Sequence, residues 1–175
     1  MILKSLRTKQ LDKNLIKKIC KLKNSFWIWN LKKQIEWFNE NIKIKDIHNL
    51  LFNKKKLIGY TLLRYRKVCF GKKNVNYYYF DTMIIDSKER NKNYGKHLMF
   101  FNNKIIKKKG VHSFLITPKK NINFYKQYNW NLIKKKNFEI MDHKPKWLKK
   151  KKDINGMTYN LNKNLKTKGS YYLNN

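Results

Sequence analysis

The chain has 175 residues, enough to bury one hydrophobic core, and 41% of them are hydrophobic. This share argues against a largely disordered chain, and no apolar run approaches the roughly 20 residues that cross a membrane. The formal net charge is +33, but only four of the 43 basic residues are arginine, and lysine alone is a weak sign of a surface that clamps phosphates or reads bases.

The first half of the chain predicts one strand, two helices and three further strands. Ile2–Leu6 is predicted to be a short strand. Leu11–Leu22 is predicted to be a helix because its apolar residues recur at helical spacing, and a second helix is predicted over Leu31–Asn41. Alternating patterns and turn residues then predict strands over Ile47–Phe52, Leu57–Val68 and Val75–Asp86.

The second half begins with a helix over Tyr94–Lys109, which Gly110 ends. A buried strand in "VHSFLIT", a helix in "PKKNINFYKQY" and closing strands in "NWNLIKKKNFEI" and "GMTYNLN" follow. The order β-α-α-β-β-β-α-β-α-β-β predicts an α/β layout with a mixed sheet covered by helices. No linker divides the chain, so we predict one domain over residues 1–163 and a frayed tail over residues 164–175.

The turn "ERNKNYGK" joins a strand to the predicted third helix. A helix start leaves backbone N–H groups free, and with the helix dipole these groups attract anions. Gly95 removes one side chain from the turn, and Asn93 is the residue type that, after glycine, best tolerates positive φ. Taken alone, this pattern is also typical of an ordinary solvated loop.

The wider context favours the anion-binding alternative. Arg90–Gly95 resembles the acetyl-CoA signature of the GNAT superfamily of N-acetyltransferases, and "NINFYKQYNW", residues 121–130, resembles a second segment of that family. Two family glycines are replaced, by Asn93 and Asn129. The resemblance extends from Ile2 to about Asn162 and implies an α/β (α+β) fold with a mixed, mostly antiparallel central sheet of about seven strands flanked by helices.

The resemblance implies an acetyltransferase that uses acetyl-CoA as a co-substrate. Backbone groups of the strand before the turn would pair with the pantetheine arm, and the amides of the turn would hold the pyrophosphate. The implied coenzyme-binding residues are Met83, Ile84, Ile85, Arg90, Asn91, Lys92, Asn93, Tyr94, Gly95, Lys96 and Asn121. For Asn121, a role as a helix N-cap is an equal alternative.

Two residues are candidates for proton transfer. Tyr125 aligns with the family tyrosine that protonates the departing thiolate, or it is a packing tyrosine. Asp81 stands inside a strand, where aspartate is disfavoured. It is the candidate base, directly or through a water chain, or a holder of the acceptor ammonium; otherwise it is structural. Tyr79, on the same strand face by alternation, is a candidate helper.

The acceptor is predicted to be a small primary amine such as an amino sugar. In this fold the region between the first two helices tends to border the acceptor site. Trp27 and Trp29 are therefore candidate substrate contacts or core residues, and His48 is a candidate contact or a structural histidine. Acetylation of protein N-termini or lysines is the second candidate, and a non-catalytic nucleic-acid-binding module on the same fold is the third.

The remaining features predict a cytoplasmic protein. The start of the chain lacks a signal-peptide pattern. Cys20 and Cys69 fit neither a disulfide framework nor a metal knuckle and are expected to be thiols in a reducing cytoplasm. No metal is expected because the His, Cys and acidic residues lack ligand spacing, and no membrane partner is expected because no long apolar run occurs. An exposed sheet edge in this fold could pair two subunits as a homodimer.

Overall fold

The structure of the protein, a computed structural model, describes residues 1–141, 155–161 and 168–174. Within these residues lie four α-helices: α1 (Lys13–Asn24), α2 (Leu31–Asn41), α3 (Tyr94–Lys108) and α4 (Ile122–Lys126). Nine strands lie there too: β1 (Ile2–Arg7), β2 (Ile47–Asn53), β3 (Lys56–Phe70), β4 (Lys73–Ile85), β5 (Ser113–Thr117), β6 (Asn131–Ile133), β7 (Phe138–Ile140), β8 (Asn155–Tyr159) and β9 (Gly169–Tyr171). The strand pairing is mixed, as the element order predicts, and mostly antiparallel, as the resemblance implies.

The chain divides into two compact units. Unit 1 consists of Met1–Arg64 and Asp81–Asn102, and unit 2 consists of Tyr65–Phe80 and Asn103–Asn175. Strands β3 and β4 and helix α3 each contribute residues to both units. The prediction of a single domain over residues 1–163 stays a prediction.

Helices α1 and α2 begin at polar caps. The side chain of Asp12 accepts a hydrogen bond from the Leu15 N–H at 2.7 Å, and that of Asn30 accepts one from the Lys33 N–H at 2.8 Å. Such caps pair backbone N–H groups that the helix itself leaves free. The predicted bounds of α2 are confirmed, whereas α1 begins two residues later than predicted because Asp12 caps it.

The strands of unit 1 carry helices on both faces. In β2, Leu50 belongs to a core cluster with Ile19 of α1 and Phe38 of α2. The next residue, Leu51, packs instead in a cluster with Leu98 of α3. Successive strand side chains point to opposite faces, so α1 and α2 cover one face of these strands and the first part of α3 covers the other.

Gly59 of β3 brings α3 close to the sheet. A Cβ atom at this position would stand 2.8 Å from a methyl carbon of Leu98 and 2.9 Å from one of Ile85, which is closer than side-chain carbons approach. A residue without a side chain therefore permits α3 to lie directly against β3 and the end of β4. This packing fixes the start of α3 beside the last residues of β4.

Unit 2 has an aromatic core. Strand β5 pairs with β4 in parallel through Tyr78 and Tyr79, and β8 pairs antiparallel with β5 and β6. The buried residues of its core cluster are Val68, Phe70, Tyr77, Tyr79, Phe114, Phe138, Tyr171 and Leu173.

The end of the chain differs from the prediction in two respects. The stretch predicted as one closing strand over residues 129–140 is interrupted by a 3₁₀ turn at Lys135–Asn137, which separates β6 from β7. The tail predicted to fray contains β9, which pairs with β3 and β7, and its Tyr171 ring stacks on Phe114 with centroids 4.0 Å apart. Burying Tyr171 and Leu173 holds this segment in place, and the strand count rises from about seven to nine.

Candidate functional site

Asp86 anchors the turn that follows β4. Its N–H donates to the Ile58 carbonyl of β3 at 2.8 Å, and its carboxylate accepts from the Lys88 N–H at 3.1 Å. Lys56 Nζ lies 2.7 Å from the other carboxylate oxygen, and this hydrogen bond is the main reason why the pKa of Asp86 is lowered. The beginning of the turn is therefore fixed to unit 1.

The turn enters α3 through two asparagines with left-handed backbone. The φ angles are 63° at Asn91 and 59° at Asn93. The Asn93 carbonyl accepts a hydrogen bond from the His97 N–H at 3.2 Å, so the first turn of α3 starts here. The N–H groups of residues 94–96 have no carbonyl within the helix to bind, and the helix dipole adds positive potential at the same point. This arrangement can hold an anion such as a pyrophosphate.

The charged side chains of the turn have neighbours of their own. The Arg90 guanidinium lies 5.8 Å from the centroid of the Phe26 ring, which belongs to the loop between α1 and α2. Lys92 Nζ pairs with Glu89 at 3.0 Å, and Lys96 Nζ lies 6.0 Å from the Phe100 ring. The backbone amides are therefore the main groups of this turn that could bind an anion.

The strand before the turn has free hydrogen-bonding capacity on one edge. Within the described part of the chain, the ladder between β4 and β5 ends at Tyr79, so Met83, Ile84 and Ile85 lie beyond it. The Ile84 side chain packs in the core with α1 and α2, and Ile85 packs against Leu98. The two side chains thus serve packing, while backbone groups remain for a ligand.

Asp81 forms an ion pair with Arg64 of β3. Arg64 Nη1 donates to Asp81 Oδ2 at 3.3 Å, and Nη2 donates to the Asn41 carbonyl at the end of α2 at 3.1 Å. The side chain of Arg64 is 4% exposed and that of Asp81 is 17% exposed. The arginine fixes the carboxylate, which retains some access to solvent.

A buried lysine lies near this pair. Lys23 of α1 is 5% exposed, and its Nζ lies 3.5 Å from the centroid of the Trp37 ring, with the Arg64 guanidinium 5.8 Å from the same ring. Burial lowers the pKa of Lys23 to about 8, and the Asp81 charge opposes this shift. Sequence reasoning missed Lys23 and Arg64. Two features of the sequence could have indicated them. Lys23 lies four residues after Ile19 on the apolar stripe of α1, and Arg64, one of only four arginines in the chain, lies inside an apolar strand.

A pocket of about 300 Å³ adjoins Trp37 on the outer side of α2. Its lining residues are Trp29, Lys33, Glu36, Trp37 and Glu40. From residue 33 onward they recur at helical spacing, so one face of α2 forms the floor.

The two candidate tryptophans lie at the surface. Trp27 is 37% exposed and Trp29 is 48% exposed, in a loop whose Phe26 and Ile28 are also exposed. These exposures favour the substrate-contact alternative over core packing.

His48 and Tyr79 are buried. The His48 ring has one nitrogen 3.0 Å from the Thr8 hydroxyl and the other 2.8 Å from the Tyr60 hydroxyl, and burial lowers its pKa to about 3. With no exposed surface, His48 fits the structural alternative. Tyr79 lies in the core of unit 2 and has 3% exposure, which leaves little surface for a helper role.

Tyr125 and Asn121 belong to unit 2. Tyr125 of α4 packs edge-on against Phe80 and Phe124, none of the described residues hydrogen-bonds its hydroxyl, and burial raises its pKa to about 12. Asn121 is exposed and stands at the cap of α4, but its side chain forms no capping hydrogen bond there. The structure thus groups Asp81, the turn and the tryptophans in unit 1, and Tyr125 and Asn121 in unit 2.

The described residues contain no group of three or more His, Cys, Asp or Glu side chains placed to hold a metal ion. None of their helices combines the length and apolar character that a membrane crossing requires.

No protein-family profile matches the sequence, and no curated protein matches it either. Solved structures do match. Escherichia coli ElaA superposes with a TM-score of 0.65 at 12% identity, covering 90% of this chain and 97% of ElaA. An aminoglycoside 6'-N-acetyltransferase complexed with coenzyme A superposes with a TM-score of 0.66 at 11% identity, covering 91% of this chain and 96% of the enzyme chain. An acyl-CoA N-acyltransferase from Pseudomonas aeruginosa superposes with a TM-score of 0.62 at 12% identity, covering 90% of this chain and 99% of that protein. The chain therefore has the fold of the GNAT N-acetyltransferases, as its two motifs imply.

Proposed function

We propose that the protein transfers the acetyl group of acetyl-CoA to a primary amine of a small molecule, such as an amino sugar. The observation that carries the proposal is the turn into α3, where Asn93, at the position of the glycine in the signature it resembles, adopts the left-handed conformation that glycine tolerates best. Two solved structures with this fold are named as an aminoglycoside 6'-N-acetyltransferase and an acyl-CoA N-acyltransferase, and these activities support the same class of reaction.

The residues proposed to bind the coenzyme, except Asn121, belong to unit 1. The amides of residues 91–96 would bind the pyrophosphate, and the backbone of Met83–Ile85 would pair with the amide groups of the pantetheine arm. When bound, acetyl-CoA supplies an acetyl group activated as a thioester. A backbone N–H of β4 directed at the thioester oxygen would stabilise the negative charge that grows there during transfer.

Asp81 is the proposed partner of the acceptor amine. Its carboxylate would hold the ammonium by charge, or accept its proton directly or through water, because only a neutral amine can attack. Arg64 holds the carboxylate in one position, which favours a fixed angle of approach for the amine. The transfer would then be direct, in a ternary complex without a covalent enzyme intermediate.

Tyr125 is the proposed proton donor to the departing thiolate. Its raised pKa of about 12 keeps the hydroxyl protonated at neutral pH. A thiol has an ordinary pKa of about 8.5, so full proton transfer from this phenol is unfavourable, and the hydroxyl would act mainly by donating a hydrogen bond to the growing charge.

Thermal unfolding with candidate ligands tests the coenzyme assignment. We expect acetyl-CoA to raise the melting temperature more than ATP at equal concentration, because only acetyl-CoA has both the pyrophosphate and the pantetheine arm. An oligonucleotide at low and at physiological salt tests the nucleic-acid alternative. Stabilisation by the oligonucleotide that survives physiological salt, with none by acetyl-CoA, would overturn the proposal.

An amine panel read by release of free CoA tests the acceptor. The panel contains amino sugars, simple alkylamines and peptides with free N-termini or lysines. We expect transfer to the small amines to exceed transfer to peptides. Greater transfer to peptides than to small amines would instead indicate a protein acetyltransferase.

A further inference from the structure

Four consecutive apolar side chains are exposed in the loop between α1 and α2. Phe26 is 52% exposed, Trp27 37%, Ile28 92% and Trp29 48%. Single exposed apolar side chains are common on protein surfaces, but a contiguous group of them marks a surface that meets a partner or a membrane. This loop therefore has more exposed apolar surface than folding alone explains.

Hydrogen bonds hold the backbone of the loop to both helices. The Trp27 N–H donates to the Lys23 carbonyl of α1 at 2.9 Å, and the buried side chain of Gln34 of α2 donates to the Trp27 carbonyl at 3.2 Å. The Trp29 N–H donates to the same carbonyl at 2.7 Å. The apolar side chains thus project from an ordered backbone, so little conformational entropy is lost when the loop binds something.

A basic pocket of about 300 Å³ lies at the C-terminal half of α1. Lys18 and Lys21 of α1 line it, together with Lys55 and Lys56 at the turn from β2 to β3. Asp86 is the one acid among its described lining residues, and it pairs with Lys56. None of the described residues forms an ion pair with the other three lysines, so their charges are available to an anion.

The pocket adjoins the apolar loop at two points. Ser25 lines the pocket and directly precedes Phe26 in the chain. Asp86 also lines it and begins the turn whose Arg90 guanidinium lies 5.8 Å from the Phe26 ring. All of these residues belong to unit 1, so the loop and the pocket form one surface.

The sequence around the loop is positively charged. Residues 17–33 contain six lysines and no acidic residue, and Lys23 is the one buried lysine among them. Glu36 and Glu40 line a different pocket with Trp29 and oppose this charge, but the five exposed lysines outnumber them. Exposed indole rings beside lysines are typical of surfaces that rest on a bilayer, since indole favours the headgroup region and lysine is attracted to anionic lipids.

We propose that this surface docks on an anionic phospholipid membrane, with the side chains of Phe26–Trp29 at the boundary of headgroups and acyl chains and a lipid phosphate in the lysine pocket. An acidic protein would also match the lysines. A side chain as exposed as Ile28 has almost no wall of its own chain beside it to grip a partner side chain, whereas acyl chains surround it on every side. Attachment to one leaflet requires no apolar run long enough to cross the bilayer.

Vesicle flotation tests the proposal. One set of vesicles consists of phosphatidylcholine, and the other is an equal mixture of phosphatidylcholine and phosphatidylserine. At physiological salt we expect the lipid Kd to be at least about tenfold lower for the mixed vesicles. Equal binding to both sets, or binding to neither, would overturn the inference.

Ile28→Asn tests the contribution of the apolar loop. Burying an isoleucine side chain is worth about tenfold in affinity or more, so the variant should bind the mixed vesicles about tenfold more weakly. Ile44→Asn is the matched control, because Ile44 is 65% exposed in unit 1 but lies outside the loop, and its Kd should be unchanged. Urea unfolding verifies that both variants are folded. Unchanged vesicle binding in Ile28→Asn would contradict the proposal, and with a raised KM for the acceptor it would assign the loop to the acceptor instead.

Two triple variants separate the lysine pocket from the overall positive charge. Lys18→Gln/Lys21→Gln/Lys55→Gln should bind the mixed vesicles at least about tenfold more weakly. Lys107→Gln/Lys108→Gln/Lys109→Gln removes the same charge from exposed lysines of unit 2 and should change the Kd less than about twofold. Equal losses in the two variants would overturn the inference, because net charge alone would then account for binding.

Polyglutamate in place of vesicles tests for an acidic protein partner. If polyglutamate binds through the pocket lysines and vesicles do not, the surface belongs to a protein partner and the inference fails. The inference does not depend on the proposed function, because flotation requires neither acetyl-CoA nor an acceptor. Stabilisation by acetyl-CoA in the absence of lipid tests that function separately, so either can fail while the other holds.

Discussion

Arg64 and Asp81 form an ion pair of 3.3 Å in which the arginine is almost entirely buried and the aspartate is not. Replacing Asp81 by Asn removes the negative charge that pairs with the buried guanidinium of Arg64. We expect Asp81→Asn to lower the free energy of unfolding by about 1–3 kcal/mol and to lower kcat/KM by at least about tenfold. Urea unfolding and steady-state kinetics measure the two effects.

A double variant separates the two effects. Arg64→Met/Asp81→Asn removes both charges, so stability should return toward that of the unmodified protein while activity stays low. Activity that returns together with stability would make Asp81 a structural residue.

Asn93 provides a second prediction, on coenzyme affinity. At a φ of 59°, alanine is disfavoured by about 1–2 kcal/mol relative to glycine. We expect Asn93→Ala to weaken acetyl-CoA binding severalfold in calorimetry, and Asn93→Gly to bind as well as the unmodified protein, because the turn amides then keep their directions.

Asn129 offers a matched control in unit 2, with a φ of 62°. Asn129→Ala should lower stability by a similar amount and leave the Kd for acetyl-CoA unchanged. Equal loss of affinity in both alanine variants would mean that the Asn93 effect arises from general destabilisation.

These two asparagines show why the sequence predicted much of the fold. Both stand where the GNAT segments that they resemble have glycine, and both adopt positive φ. Asparagine tolerates this conformation better than most residues, so both turns form without glycine. Helical spacing likewise predicted α2 at its observed bounds, because the apolar residues that recur at this spacing are the ones that pack against the core.

Contacts between distant residues could not be predicted in the same way. The pairing of Arg64 with Asp81 depends on which strands lie side by side, and the burial of His48 depends on Thr8 and Tyr60. The tail was predicted to fray because it is mostly polar, yet Tyr171 finds a stacking partner in Phe114. Such contacts arise from tertiary packing, which local pattern does not specify.

Tyr125→Phe is expected to lower kcat and to leave the KM for acetyl-CoA unchanged. The hydroxyl is the only group removed, and it is proposed to act on charge that develops during transfer. Tyr128→Phe makes the same chemical change three residues away and should retain the unmodified kcat. An unaltered kcat in Tyr125→Phe would leave Tyr125 a packing residue.

His48→Gln tests the structural role of the histidine. The folded-state pKa of about 3 lies below the ordinary value of 6.5, so below pH 6.5 the unfolded chain takes up a proton that the folded one does not. This difference lowers stability as pH falls from 6.5 toward 3. The variant should be less stable at pH 7, show a weaker fall between pH 6.5 and 4.5 in urea unfolding, and keep the KM for the acceptor. A raised KM for the acceptor without loss of stability would instead indicate that His48 contacts the acceptor.

Lys23 leads to a prediction at alkaline pH. Its pKa falls from 10.5 in the unfolded chain to about 8 in the folded protein, mainly because the ammonium is buried. Between these values the unfolded state binds more protons, so this lysine makes stability rise as pH increases from about 8 to 10.5. Below pH 8 both states carry the charge, and the protein bears the full penalty of burying it. Cys20, Arg64 and Asp81 are the other charged or titratable groups that influence Lys23.

Lys23→Met removes this dependence. The variant should equal or exceed the unmodified protein in stability at pH 7, and the advantage should shrink by pH 9.5, as measured by urea unfolding at both values. Lys21→Met, an exposed neighbour on α1, should leave the pH dependence unchanged and thus isolates the effect of burial. If the unmodified protein and Lys23→Met instead change in parallel with pH, the ammonium of Lys23 retains its ordinary affinity for protons, and its contact with Trp37 stabilises the charge enough to offset burial.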